Sequence, residues 1–152
     1  CHMSLIDRFN EHVSDKADLD LERFEEHFSY KDPLLEKDFK PTKPLVFLRA
    51  RAIEVIQDQL QFLHGLLMPN PKNLIANSQS NALDDDQQEC VSDVIDEYAA
   101  LMTKSRKVTL NGGDDEEAAF LREAMDAWER THDDMMSIIE AVEDHWDEQR
   151  HG

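Results

Sequence analysis

Residues 44–68, PLVFLRARAIEVIQDQLQFLHGLLM, constrain the fold more than any other stretch. Wound at 100° per residue, they place Leu45, Leu48, Ala52, Ile53, Val55, Ile56, Leu60, Phe62, Leu63, Leu66 and Leu67 over about half the circumference of a helix. Arg51, Glu54, Gln57, Asp58, Gln61 and His64 fill the other half. A helix this apolar needs cover from two directions, so it belongs at the centre of a bundle. Arg49 falls inside the apolar sector, and Gln59 interrupts it further along. A buried Arg without a carboxylate costs several kcal/mol, so Arg49 predicts an internal ion pair near the helix start. A contact point for a partner is the sharper alternative.

The flanking segments supply the cover. Ser4 caps a short segment carrying Leu5, Ile6, Phe9 and Val13 at helical spacing. Asp20 caps a second, with Leu21, Phe24 and Phe28 on one face and Glu22, Glu25 and Glu26 on the other. Asp32-Pro33 is a helix-start signal that predicts one or two turns over Leu34 to Phe39. The stiff KPTKP connector follows, with Thr42 in place to cap the central helix. Residues 68–82, MPNPKNLIANSQSNA, hold two prolines and no periodicity; they read as a long crossover, with Leu74 and Ile75 placed to pin it over the end of the bundle.

Asp84 and Gln87 spell a capping box. Acids crowd the first turns of the helix they open, and Lys104, Arg106 and Lys107 crowd its last, as the helix dipole favours. Val91, Val94, Ile95, Tyr98, Leu101, Met102 and Val108 form its apolar stripe. Asn111-Gly112-Gly113 ends it, and Asp114 with Glu117 opens the next. So short a link predicts antiparallel neighbours. In the last helix Leu121, Ala124, Trp128, Thr131, Met135, Ile138, Val142 and His145 keep an unbroken 3-4 spacing. Met125, His132, Ile139 and Trp146 run beside them every seven residues. It outreaches the central helix, and the overhang calls for the short helices or another subunit as cover. Cys1-His2-Met3 reads as a cloning remnant. The fold class expected is all-α: one domain over residues 4–152, with short helices within 4–40 and long helices near 44–68, 84–110 and 114–150.

Charge narrows function. The net charge is −18, and residues 111–152 hold fourteen acids against three Arg. That argues against direct nucleic-acid binding through phosphates and against anionic membrane surfaces. No apolar run reaches membrane-spanning length, and no signal-peptide core stands near the N-terminus. Apart from Cys1, Cys90 is the only cysteine, which suits a reducing, cytoplasmic setting. The acids around Cys90 disfavour its thiolate. There is no Gly-rich phosphate loop and no nucleophile elbow.

One metal-like spacing stands on a helix: Glu129-x-x-His132. Carboxylate–histidine pairs three apart share a face and build di-metal sites in four-helix bundles, but such a site wants a second pair and two more inward glutamates. The plainer reading is that His132, with Thr131, makes a buried or half-buried polar break in the stripe. Glu22-x-x-Glu25 and Glu123-x-x-Asp126 match the letters of magnesium-holding acid pairs in all-helical nucleotide pyrophosphohydrolases. Here nearly a hundred residues separate them, where that family carries them on adjacent helices.

The acidic face of the last helix is the strongest anomaly. Glu129, Asp133, Glu140, Asp144 and Glu148 set like charges four and seven residues apart, each close pair destabilising an isolated helix by a few tenths of a kcal/mol. Either high salt offsets this, or a basic partner does; imitation of DNA is a third, more distant reading. The function expected is a cytoplasmic, non-enzymatic interaction or regulatory module without a cofactor, acting through helix faces on a protein partner, as a homodimer or within a larger assembly. The alternative is a divalent-metal bundle enzyme centred on Glu129 and His132.

Overall fold

The structure, a computed structural model, describes residues 4–36, 43–67 and 83–151. Six helices and no strand are present among them: α1 (Leu5–Lys16), α2 (Leu21–Phe28), α3 (Lys31–Glu36), α4 (Pro44–Leu67), α5 (Asp85–Asn111) and α6 (Asp114–His151). The three long helices pack on one another, as the periodicity requires. Arg49, near the start of α4, reaches Ser105 and Thr109 near the end of α5, so these two run in opposite directions. Glu97, Tyr98 and Lys104 of α5 meet Arg130, Thr131 and Glu123 of α6 in reverse order, so this pair is antiparallel too. The bundle is therefore up-down-up, with α4 and α6 running the same way.

The caps explain where the helices begin. Ser4 Oγ accepts from the Asp7 amide at 3.1 Å, and Asp20 Oδ1 from the Arg23 amide at 3.1 Å. Asp84 Oδ1 accepts from the Gln87 amide at 2.8 Å while Gln87 Oε1 accepts from the Asp84 amide at 2.9 Å, a reciprocal capping box. α3 departs from expectation. It opens two residues before Pro33, because Glu25 on α2 takes the amides of Tyr30 (2.8 Å) and Lys31 (3.0 Å) on its carboxylate. A side chain from the preceding helix supplies the cap. Thr42, Phe39, Leu74 and Ile75 lie outside the described residues, as does the 68–82 segment.

Between α5 and α6 the chain needs glycine for steric reasons. Gly112 has φ −53°, not left-handed, yet a Cβ there would sit 2.7 Å from the Val108 carbonyl oxygen. Backbone cannot yield as a side-chain tip would. Left-handed backbone occurs instead at Ser29 (φ 56°), which ends α2. Arg51, assigned by pattern to the polar half of α4, clasps this corner: its Nε donates to the carbonyls of Phe28 (3.0 Å) and Ser29 (2.7 Å).

Leu48, Ala52, Ile56 and Leu63 of α4, Val91 of α5, and Leu121 and Ala124 of α6 are fully buried. Each large aliphatic among them contributes about 1.5–3 kcal/mol on burial. Aromatic rings extend this core toward the N-terminus. Phe9 lies 5.5 Å from both Tyr30 and Phe47, Phe24 5.1 Å from Phe28, and Phe28 5.3 Å from Trp128, measured between centroids. The chain of rings ties α1, α2 and the Tyr30 corner to α4 and α6 through favourable tilted and edge contacts. No helix of the described residues is long and apolar enough to cross a membrane.

Candidate partner-binding face

In the first half of α6 most acids carry a cation; Asp115 and Glu116, both exposed, meet none among the described residues. Glu117 is almost wholly buried and accepts from Arg49 Nε at 2.7 Å. Arg49 also donates to Ser105 Oγ (2.9 Å) and Thr109 Oγ1 (2.9 Å), so its fork is occupied inside the bundle. This is the internal ion pair that Arg49's place in the apolar sector implies. Lys16 stands 3.9 Å from Asp114, Lys104 pairs with Glu123, and Arg130 pairs with Glu97. Arg122 donates to the Asp18 carbonyl at 2.6 Å, a further link from α6 to the N-terminal region.

Glu129 is drawn into the same pattern. Arg23 of α2 donates through Nε to Glu129 Oε1 and through its terminal nitrogen to Oε2, both at 2.6 Å, and reaches Asp126 at 2.6 Å. His27 Nε2 lies 2.8 Å from Glu129 Oε1. These bonds, the Arg23 fork first and the His27 ring second, hold the Glu129 carboxyl down to about 2 from 4.5. The Arg23 guanidinium is raised in turn, chiefly by Glu129. His132 does share a side of α6 with Glu129, and the two line a shallow cleft with Glu26, His27 and Trp128. It is exposed, however, whereas Thr131 is buried and hydrogen-bonded to Tyr98 at 2.9 Å. Of these two residues, Thr131 is the polar break in the core. Among the described residues no group of three or more His, Cys, Asp or Glu side chains is arranged to hold a metal.

The two acid pairs at 22/25 and 123/126 do come onto neighbouring helices, because α2 packs on α6. Their carboxylates are occupied separately. Glu25 caps α3, Glu123 takes Lys104, Asp126 takes Arg23, and Glu22 is exposed to solvent.

The second half of α6 differs. Asp133, Glu140, Asp144 and Glu148 are all exposed, and among the described residues no cation is paired with any of them. Of the five residues expected on the acidic face, only Glu129 is tied down. Met136 and Ile139 are exposed among the others, at 43% and 38%. Ile139 reaches the surface because the cover over that side of α6 stops short of it. Eighteen residues make about five turns, so Ile139 points the same way as the fully buried Leu121. Met125 on that side is buried as well, whereas Ile139, like His132, lies beyond the last contacts of the N-terminal helices and is exposed. Beside it, Asp58, Gln59 and Phe62 of α4 and Ile139, Val142 and Glu143 of α6 line an open groove of about 440 Å³. The contacts of α1 and α2 on α6 fall between Asp114 and Glu129, so the short helices do not supply the expected cover for its far end.

Cys90 is half-buried, and burial first, then Asp134 and Asp93, pushes its thiol up. The carboxylates responsible include one across the helix interface rather than the Asp84–Asp86 run. Comparison of the chain with protein-family models, with curated proteins and with solved structures gave no match.

Proposed function

We propose that the protein is a non-enzymatic interaction module, working in the cytoplasm, that docks a basic protein partner on the second half of α6. The observation that carries this reading is a contrast along one helix. Among the described residues, cations counter five of the seven acids from Asp114 to Glu129, all but Asp115 and Glu116. Beyond Glu129 come exposed acids with large apolar side chains between them. Docking a cationic surface there relieves the like-charge repulsion and covers Met136 and Ile139 together. Electrostatic matching of this kind mainly sets association rate and specificity.

The same acids fit adaptation to high salt, and a thermal melt across KCl separates the two. The Debye length is already ~3 Å at 1 M, so simple screening saturates below that point. A midpoint that levels off early supports the docking surface. A midpoint still climbing at about 3 M assigns the charge to solvent adaptation and overturns the reading. Self-association belongs to the same proposal, and light scattering showing a strict monomer at micromolar concentration removes that part.

A further inference from the structure

The geometry points to the groove between α4 and α6 as the seat of a basic amphipathic helix; this rests on the docking reading above and adds the place and the partner's chemistry. Phe62, Ile139 and Val142 form its apolar lining, and Asp58 and Glu143 are the charged residues lining it. Met136, one turn before Ile139 on the same side of α6, extends the apolar strip and is likewise exposed. A cleft between two helices that run the same way is the place a further helix takes in a bundle, side-chain ridges entering the groove at ~8–10 Å between axes.

Charge selects the occupant. The stretches forming the two walls, residues 52–67 and 131–149, contain nine Asp or Glu and no Lys or Arg. A helix with apolar residues at i, i+3 or i+4, and i+7 sets its anchors on the lining. Lys or Arg beside those anchors then face Asp58 and Glu143. A second copy of this chain brings the wrong sign, since the chain carries −18 overall. A neutral or acidic helix would fill the apolar strip but leave the rim carboxylates partly desolvated and unpaired, which is costly.

The test is calorimetric titration of the full chain with three peptides of about 18 residues, five turns at ~3.6 residues per turn. One is an amphipathic Leu/Lys helix, one has the same apolar pattern with Glu for Lys, and one scrambles the Leu/Lys sequence so that no apolar face forms. The first should bind at micromolar concentration and at least about tenfold more tightly than the other two. Ile139→Ser should weaken it about tenfold or more, as loss of an anchor does. Asp58→Lys with Glu143→Lys should weaken it similarly and flatten its salt dependence. Asp58, Asp133, Ile139, Glu143 and Glu148 are all exposed, so circular dichroism should show these variants folded.

Full binding by both variants, but not by Asp133→Lys with Glu148→Lys, overturns the groove and leaves the basic-partner reading standing. Failure of both Lys peptides to bind overturns both. Equal binding of the Glu peptide overturns the choice of a basic occupant. A dimer that Ile139→Ser dissociates gives the groove to a second copy. Binding that appears only after Leu74→Ser and Ile75→Ser gives it to the chain's own residues 68–82.

Discussion

The two halves of α6 share one helix and one kind of composition, yet the bundle treats them differently. Up to Glu129, five of the seven acids lie against Lys16, Arg23, Arg49 and Lys104, three of which come from other parts of the fold far away in sequence. Beyond Arg130 the acids meet solvent. Like-charge repulsion along a helix is a local cost that tertiary structure either offsets or leaves. Here it is offset where the N-terminal helices reach and left where they do not. An acidic run is thus informative about docking only in the half that the fold itself leaves open.

The comparison breaks most sharply at Glu117. Glu117→Ala should destabilise the protein by about 3–5 kcal/mol in urea unfolding, because Arg49 is left buried without its carboxylate. Replacing Arg49 and Glu117 together with Leu should recover most of that loss, since well-packed apolar groups substitute for buried ion pairs at little cost. A single Ala variant as stable as the parent would show that Arg49 escapes to water.

A smaller effect is expected where the hairpin is pinned. Thr131→Val keeps the shape but leaves the buried Tyr98 hydroxyl without the oxygen it meets at 2.9 Å, which should cost about 1–3 kcal/mol. Tyr98→Phe with Thr131→Val should cost less than Thr131→Val alone.

Acid titration isolates the paired half. The Glu129 carboxyl sits at about 2 in the folded protein against 4.5 in the open chain. A lowered carboxyl stabilises the fold above its open-chain value, and this contribution is lost as pH falls from about 4.5 through 2. Carbon NMR of the Glu129 carboxyl should show a low midpoint, which Arg23→Ala moves back toward 4.5. No shift on that substitution would mean that Arg23 does not hold the carboxylate in solution.

The unpaired half should respond with the opposite sign. Asp144→Lys places a cation four residues from Glu140 and Glu148, and should stabilise the helix by a few tenths of a kcal/mol at low salt. The equivalent reversal at Asp126 should destabilise, because it sets a cation against Arg23. If both reversals stabilise, the halves are electrostatically alike and the contrast fails.

Much of the fold is legible in the residue pattern. The α5–α6 hairpin follows from Asn111-Gly112-Gly113 and two apolar stripes, and the start of α5 from Asp84 and Gln87. The need of Arg49 for an internal ion pair, though not the identity of Glu117, follows from the cost of burying it. These are local signals, or, for Arg49, a burial cost that demands a carboxylate without saying which. What escapes is contact between segments far apart in sequence. Arg23 and Glu129 are 106 residues apart, and nothing periodic links them. Glu25 capping α3 and Arg51 holding the Ser29 corner look like ordinary surface charges until the chain has folded over them. His132 is exposed although its seven-residue row holds the buried Met125, because the contacts of α2 on that helix end at Glu129, which spacing alone does not show. The groove was hidden for the same reason, since Ile139 belongs to that row and Phe62 to the apolar sector of α4.

The separation between Arg23 and Glu129 also bears on the order of assembly. Contacts of the hairpin close short loops, with Lys104 and Glu123 only 19 residues apart, whereas α2 must find α6 across 106 residues. Short loops close at lower entropic cost and sooner. The hairpin should therefore form first and the N-terminal helices should settle last, as a clasp over a bundle already made. Pulsed hydrogen exchange during refolding would register this as early protection at Tyr98 and Leu121 and late protection at Phe24 and Phe28. Simultaneous protection would mean that the clasp and the bundle fold as one unit.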